Sequence, residues 1–315
     1  MHSVLHDNEI PIDDNLVCKL VGTQFPHYAD LPLSRLQASG SSNVLYCLGS
    51  DLLVRLPRQP GSGVAIEKEQ QWLPAVSQTL PVAVPQITVL GEPAFGFTER
   101  WSIVQWIDGE LPRAAGTSAA ATPRRLVLAS DLADVIIALR STDIPGHAAS
   151  DPSLRGYRGR TLAEYDKYFR RTIEDCRRLQ GLGLDLDKAL DIWHQALNLP
   201  GAQAAGPARW YHSDLVAENL LLKNGRLTAV LDFGGLAVGD PTIDLHGAWE
   251  LFDRQSREVF RTRLGVEDAQ WLCGRAWAWA LAIALGTFSY YWTKMPRRMS
   301  DRLIMAQAVL ADVED

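Results

Sequence analysis

Four polar side chains of defined order, His212, Asp214, Asn219 and Asp232, fall within one short stretch of the chain. It reads Trp210-Tyr-His-Ser-Asp-Leu-Val-Ala-Glu-Asn-Leu-Leu-Leu, followed shortly by Val230-Leu-Asp-Phe-Gly-Gly. The pattern H-x-D-x-x-x-x-N and then D-F-G suits phosphoryl transfer from a nucleoside triphosphate. One Asp accepts the proton of an attacking hydroxyl, and an Asn a short loop further on holds one Mg²⁺. A second Asp holds the metal that bridges the nucleotide phosphates. On this reading Asp214 is the catalytic base, and Asn219 and Asp232 are the Mg²⁺ ligands. His212 is a scaffold behind the loop, because Asp214 already fills the role of base.

The intervening residues fit that geometry. Leu220-Leu-Leu and Leu227-Thr-Ala-Val-Leu read as two short apolar strands, joined by a tight turn at Asn224-Gly225. Such a hairpin brings Asn219 and Asp232 close in space. A lone H-x-D, or a lone Asp near Gly, is ordinary turn chemistry. The joint pattern, with the hairpin between and Gly239-Asp-Pro-Thr-Ile-Asp-Leu behind, is much harder to reach by accident. Asp240 and Asp244 in that trailing segment read as structural rather than as further metal ligands. Asp-Pro at a helix start is an N-cap, and Asp244 can hold the catalytic loop through its backbone or through His212.

From His212 to Leu245 the chain resembles the aminoglycoside phosphotransferase family, which shares its fold with the eukaryotic-type protein kinases. Asp240 follows Phe233 too closely for the long activation segment of a protein kinase, and no A-P-E follows the D-F-G. The resemblance therefore implies a small-molecule kinase. It implies a two-lobed α+β fold, with a small antiparallel-sheet N-lobe over residues 1–107 and a larger, mainly helical C-lobe over 108–315. It also implies ATP or GTP as co-substrate.

Composition bounds the alternatives. The 315 residues suffice for two lobes with a sizeable core, and 47% hydrophobic with 22% charged residues is an ordinary globular balance. A formal net charge of −6 argues against a general nucleic-acid binder. The four cysteines, Cys18, Cys47, Cys176 and Cys273, form no C-x-x-C pair, which fits a reducing cytoplasm and no zinc site. No basic-then-apolar leader is evident at the N-terminus, and the most apolar stretch, residues 276–287, is too short to span a bilayer. No nucleic-acid or membrane partner is expected.

The elements that must position the motif follow in chain order. Residues 12–25 have helix-like spacing; strands are expected from Leu33, from Asn43 and from Leu52, and a helix over 64–73. Small residues at 39–42 make a turn in which the N–H groups of Ser41 and Ser42 can approach phosphate oxygens, although such a stretch is equally a plain hairpin turn. Arg55, mid-strand among Leu53, Val54 and Leu56, needs a partner or a ligand. In the kinase-like pattern this position is a phosphate-contacting Lys paired with a helix Glu. Here the residue is Arg, with Glu69 as its expected partner. Glu67 is the solvent-facing alternative to Glu69, and Arg58 is the nearest substitute should Arg55 be an edge-strand arginine facing solvent. A proline-interrupted run over 81–89 and a strand from Trp101 to Ile107 complete the N-lobe. By resemblance Gln105 and Ile107 offer main-chain groups to the nucleotide base.

Residues 114–121 read as a loop, 123–141 as a strong helix, and 162–179 and 187–197 as further helices with solvated basic runs. Residues 200–207 link them to the motif. From Leu245 onward the chain is helical and rich in aromatics, including Trp249, Trp271, Trp277, Trp279, Trp292 and Phe288. Most of these must be core, and some can line an acceptor pocket. Glu250 and Asp253 are candidate ligands for substrate ammonium groups, with a solvated acidic edge as the alternative.

The expected activity is therefore phosphoryl transfer from ATP or GTP to a hydroxyl of a small molecule, an antibiotic such as an aminoglycoside. The alternatives are a macrolide kinase, a metabolic kinase for an amino alcohol or sugar, and a nucleotide-binding pseudokinase module.

Overall fold

Asn224 and Gly225 both adopt the left-handed conformation, φ 54° and 76°, in the computed structural model of the chain. This is the turn that Asn-Gly favours, because Gly has no Cβ to oppose positive φ. The structure describes residues 4–36, 40–115, 123–156, 160–203, 206–286 and 289–314. Sequence expectations for residues 1–3, Ser39, residues 116–121, residues 204–205, Thr287 and Phe288 lie outside these. The chain divides into two units, Met1–Pro74 with Ala83–Asp108, and Ala75–Val82 with Gly109–Asp315.

In the smaller unit, helix α1 (Asp14–Gln24) is capped by Asp13, whose carboxylate accepts the Leu16 N–H at 2.8 Å. Strands β1 (Leu33–Arg35), β2 (Asn43–Leu48) and β3 (Leu52–Pro57) lead to helix α2 (Val64–Ser77), and β4 (Ile87–Gly91) and β5 (Trp101–Gln105) follow. The five strands form one antiparallel sheet in the order β1-β2-β3-β5-β4. Alternate residues of β2, Val44, Tyr46 and Leu48, are buried with Val54, Leu56, Trp101 and Ile103 against Val17, Leu20 and Val21 of α1. Helix α2 runs past its expected end at residue 73, because Pro74 removes one hydrogen bond without stopping the last turn. The run over 81–89 is a strand only from Ile87, since Pro81 and Pro85 bring no ladder N–H.

The larger unit contains helices α3 (Pro123–Ser141), α4 (Leu162–Arg177) and α5 (Leu186–Leu197), then β6 (Arg209–Tyr211), β7 (Leu220–Lys223), β8 (Arg226–Val230) and β9 (Ala237–Gly239). Helices α6 (Gly247–Leu251), α7 (Arg254–Leu264), α8 (Asp268–Ala282), α9 (Ser289–Lys294) and α10 (Pro296–Glu314) complete it. Thr161 and Glu164 form a capping box at the start of α4, and Asp185 caps α5. The tryptophans of the C-terminal part, Trp249, Trp271, Trp277 and Trp279, are buried. Buried Asp131 of α3 accepts the Leu227 N–H at 3.0 Å and two hydrogen bonds from Arg226 at 2.9 and 2.7 Å, which locks the β7–β8 hairpin to that helix. Strand β6 pairs with β9, so the segments on either side of the hairpin are also joined.

Candidate active site

The loop from His212 to Asn219 is held by groups distant in sequence. Asp244, fully buried, accepts the N–H of His212 at 2.9 Å and that of Ser213 at 2.7 Å. Burial pushes the Asp244 carboxyl above its ordinary range, while His212, these two N–H donors and Arg140 oppose the shift. Arg140 also donates to the Pro241 carbonyl at 2.9 Å. The aspartate thus binds the loop backbone directly rather than the His212 ring. Asp240 caps the turn Pro241–Leu245, accepting the Thr242 N–H at 2.9 Å.

His212 itself bridges the end of β8 and the catalytic loop. Its Nε2 donates to the Leu231 carbonyl at 2.9 Å, which leaves Nδ1 to accept the Asp214 N–H at 3.2 Å. The ring meets Phe233 edge-on with centroids 4.7 Å apart. A histidine bonded on both nitrogens in this way is a scaffold. Close packing fixes the loop further: a Cβ on Gly235 would lie 2.3 Å from Ser213 Oγ and 2.9 Å from the His212 carbonyl.

Asp214 is partly exposed, whereas Asn219 is buried. Asn219 Nδ2 donates to the Asp214 carbonyl at 2.8 Å and to its Oδ2 at 3.0 Å. With the amide nitrogen so engaged, the oxygen of Asn219 is the atom turned to other use. Leu231 N–H donates to the Asn219 carbonyl at 2.8 Å, and Asp232 follows at once, exposed and left-handed at φ 58°. The hairpin therefore brings Asn219 and Asp232 together. An amide oxygen and a carboxylate are hard donors suited to Mg²⁺, which takes few protein ligands and completes its shell with phosphates and water. Among the described residues no group of three or more His, Cys, Asp or Glu is arranged to hold a metal.

In the smaller unit, Arg55 and Glu69 meet in a buried bidentate pair. Nη1 donates to Oε1 at 3.1 Å, Nη2 donates to Oε2, and Nε donates to Ser102 Oγ at 3.2 Å. Arg58 is occupied elsewhere: its Nε donates to the Gly40 carbonyl at 3.2 Å and its Nη1 lies 3.5 Å from Glu9. Glu67 is largely exposed and pairs with Arg100 at 3.1 Å. Ser41 and Ser42 precede β2, their carbonyls accepting from His6 Nε2 at 3.0 Å and from the Arg58 N–H at 2.9 Å. Gln105 ends β5 and donates its N–H to the Gln86 carbonyl at 3.1 Å. Trp106 donates its own to Asp51 at 2.8 Å, and Ile107 follows.

Glu250 and Asp253 are neither a solvated edge nor open carboxylates. Glu250 is buried, accepts the Ala217 N–H at 2.7 Å, and faces Arg302 at 3.5 Å; burial raises its carboxyl above the ordinary range. Asp253 caps α7 through the Ser256 N–H at 3.0 Å and lies 3.5 Å from Arg125. Sequence reasoning missed Glu218, which pairs with Arg298, and the arginines of α10. The four-residue spacing of Arg298 and Arg302, one helix face, was the available signal.

Replacing Asp244 by Ala is expected to destabilise the protein by about 2–4 kcal/mol, because two buried N–H donors lose their acceptor. Chemical denaturation of the variant checks this. A change below about 1 kcal/mol, small beside the ~5–15 kcal/mol of a typical domain, would mean that water replaces the carboxylate.

The model of the phosphotransferase enzyme family matches residues 35–282. No curated protein matches the chain. Among solved structures, the GDP complex of a wild-type aminoglycoside 2'-phosphotransferase is 18% identical, with a TM-score of 0.73 over 96% of this chain and 100% of the other. A GDP and kanamycin complex of an APH(2") protein is 17% identical, with a TM-score of 0.72 over 93% and 98%. The macrolide 2'-phosphotransferase MphH from Brachybacterium faecium is 20% identical, with a TM-score of 0.61 over 92% and 98%. At these identities the likeness establishes the two-lobed, kinase-like α+β fold.

Proposed function

We propose, from the premise that this chain belongs to the phosphotransferase enzyme family, that it is a Mg²⁺-dependent small-molecule kinase using ATP or GTP. The observation that carries this reading is the joint placement of Asp214, Asn219 and Asp232 by one hairpin and one buried clamp. Asp214 orients the acceptor hydroxyl and takes its proton late in a loose transition state. Asn219 and Asp232 would hold Mg²⁺, which neutralises charge on the transferring phosphoryl group when bound. Residues 1–107 form the nucleotide-binding lobe and 108–315 the lobe that carries the catalytic loop and acceptor site. In the first, Arg55, steadied by Glu69, contacts phosphate, Ser41 and Ser42 offer main-chain donors to it, and Gln105 and Ile107 meet the base.

Likeness to an aminoglycoside and a macrolide 2'-phosphotransferase supports an antibiotic-type acceptor, such as an aminoglycoside or a macrolide. A specific observation favours a second reading, a sugar-type acceptor: Glu250 and Asp253 are engaged within the protein and present no open carboxylates to an amine. The cytoplasm suits the four free cysteines. Among the described residues no helix is long and apolar enough to cross a membrane.

The test is nucleotide consumption with Mg²⁺ by the purified protein, ATP against GTP, over aminoglycosides, macrolides, amino alcohols and sugars. Stimulation by one class names the acceptor. Nucleotide binding without turnover on any of them would favour a binding module instead.

Arg55→Ala is expected to weaken Mg-nucleotide binding and slow transfer. It should also cost about 3–5 kcal/mol of stability, since Glu69 is left as an unpaired buried carboxylate. Arg55→Lys should recover part of both. If Arg58→Ala is the variant that loses nucleotide affinity while Arg55→Ala does not, phosphate is held by the arginine just past the end of β3 instead.

A further inference from the structure

We infer that the last helix, α10, positions the catalytic loop: Arg302, acting through Glu250, and Arg298, acting through Glu218, hold residues 217–218 so that Asn219 stays aligned with Asp214. This rests on the reading of Asp214 as the base and Asn219 as a metal ligand, and it adds positioning residues for that same reaction.

The loop is tied at two places. At its start, Asp244 accepts the N–H groups of His212 and Ser213. Beyond Asp214, two bonds are internal to the loop: Val216 N–H donates to the Asp214 carbonyl and Asn219 N–H to the Val216 carbonyl, both at 3.0 Å. Bonds of this kind shape a turn but do not fix where it sits. The Ala217 N–H differs, because it donates at 2.7 Å to Oε1 of Glu250, a buried carboxylate 33 residues on. Gly247, on the same short helix α6, presses on the same segment. A Cβ there would lie 2.0 Å from the Leu215 carbonyl oxygen. Helix α6 thus gives the loop both a stop and a tether.

Glu250 is backed in turn by α10. Arg302, 5% exposed, stands with Nη1 3.5 Å from Glu250 Oε2. One helical turn earlier, Arg298 pairs with Glu218, the residue directly before Asn219, and donates to the Tyr291 hydroxyl at 3.0 Å. The helix that carries both arginines is itself fixed: Met305, Ala306 and Val309 are buried, and Asp312 is 3.2 Å from Arg257. The space that these groups enclose with Val216 and Asp301 is about 10 Å³, the room of one water. No substrate fits there, so the arginines act on the loop and not on a ligand. A shift of the Glu250 carboxylate moves the Ala217 N–H, and with it Asn219, whose Nδ2 meets Asp214 Oδ2 at 3.0 Å. A misplacement of about 1 Å from a remote change can cost about 100-fold in rate.

The experiment compares the wild-type protein with Glu250→Ala, Arg302→Gln and the double variant Glu250→Gln with Arg302→Gln. Two quantities are read. One is turnover of Mg-ATP and Mg-GTP per nucleotide-binding site, with water as the acceptor or with any acceptor that stimulates the wild type. The other is hydrogen exchange of the Ala217 amide. The expected result is a kcat about 10–100-fold lower, with KM for Mg-nucleotide changing less, and faster exchange at Ala217. Arg302→Lys should recover part of kcat. A merely structural role would lower the unfolding temperature and leave kcat per binding site unchanged. The double variant removes both charges together and so leaves no unpaired buried ion; it decides the matter where a single variant does not fold. Glu218→Gln, at a partly exposed side chain, perturbs the fold least and should lower kcat in the same direction. Wild-type kcat per binding site in the folded variants overturns the inference, and so does unchanged exchange at Ala217. Failure of the kinase reading is distinct from these: the wild-type protein would then turn over no nucleotide, and the inference would fall with it.

Discussion

Asp214→Asn is expected to lower kcat by about 10²–10⁴-fold, the range associated with a positioned general base. An amide cannot accept the hydroxyl proton, yet its oxygen can still take the hydrogen bond that Asn219 Nδ2 gives to Asp214 Oδ2 at 3.0 Å. The backbone bonds of the loop, from Asp214 N–H to His212 Nδ1 and from Asn219 Nδ2 to the Asp214 carbonyl, involve no carboxylate oxygen. Stability and Mg-nucleotide affinity should therefore stay near wild type while transfer fails. Single-turnover kinetics alongside calorimetric nucleotide titration separates the two quantities. Turnover near the wild-type rate would remove Asp214 from the chemistry and move weight to the pseudokinase reading.

Asp232→Ala is expected to abolish the Mg²⁺ dependence of nucleotide binding. Its position, directly after the Leu231 N–H that bonds the Asn219 carbonyl, leaves the hairpin intact when the side chain is removed. One complication is local: Ala at φ 58° is strained where Asp is tolerated, at a cost of about 1–2 kcal/mol. Asp232→Asn avoids that strain, since Asn also accepts the left-handed conformation, while it removes the negative charge. Titrations of ATP and GTP with Mg²⁺ and with a chelator should show the wild-type difference collapse in both variants. Retention of Mg-dependent affinity in both would mean that other groups hold the metal.

The two predictions draw on different depths of information. That Asn219 and Asp232 lie close was legible from spacing, because apolar strands around Asn-Gly permit few backbone solutions and the turn chemistry is local; their reading as metal ligands came from the phosphoryl-transfer motif. The pairing of Arg55 with Glu69 was also within reach, since a charge between Leu53, Val54 and Leu56 requires a partner and the next helix offers few carboxylates. The roles of Glu250 and Asp253 were not within reach. Their types and spacing are the same whether they face water, a ligand or an arginine. Only the packing of α10 shows that Arg302 stands opposite Glu250, and only the start of α7 shows that Asp253 is a cap.

Helix ends show the same contrast on a smaller scale. Asp13 as a cap and the stop of β3 at Pro57 follow local rules, whereas α2 continues through Pro74 to Ser77. One missing hydrogen bond is a small term beside the burial of Trp72, Leu73 and Val76 along that helix.

By itself, then, the amino-acid sequence determined the hairpin and the candidates for base and metal ligands, while the two-lobed fold class came from the resemblance those residues carry. The hairpin and the candidates depend on residues close in sequence, where backbone sterics and side-chain period leave little choice. Tertiary structure alone decided which distant groups complete the site. Asp244 reaches the loop backbone from 31 residues away, Asp131 fastens the hairpin from 96, and Arg302 closes the charge of Glu250. The physical reason is that a buried charge or donor is satisfied by whatever packing brings near, and packing is a property of the whole core rather than of the neighbouring sequence.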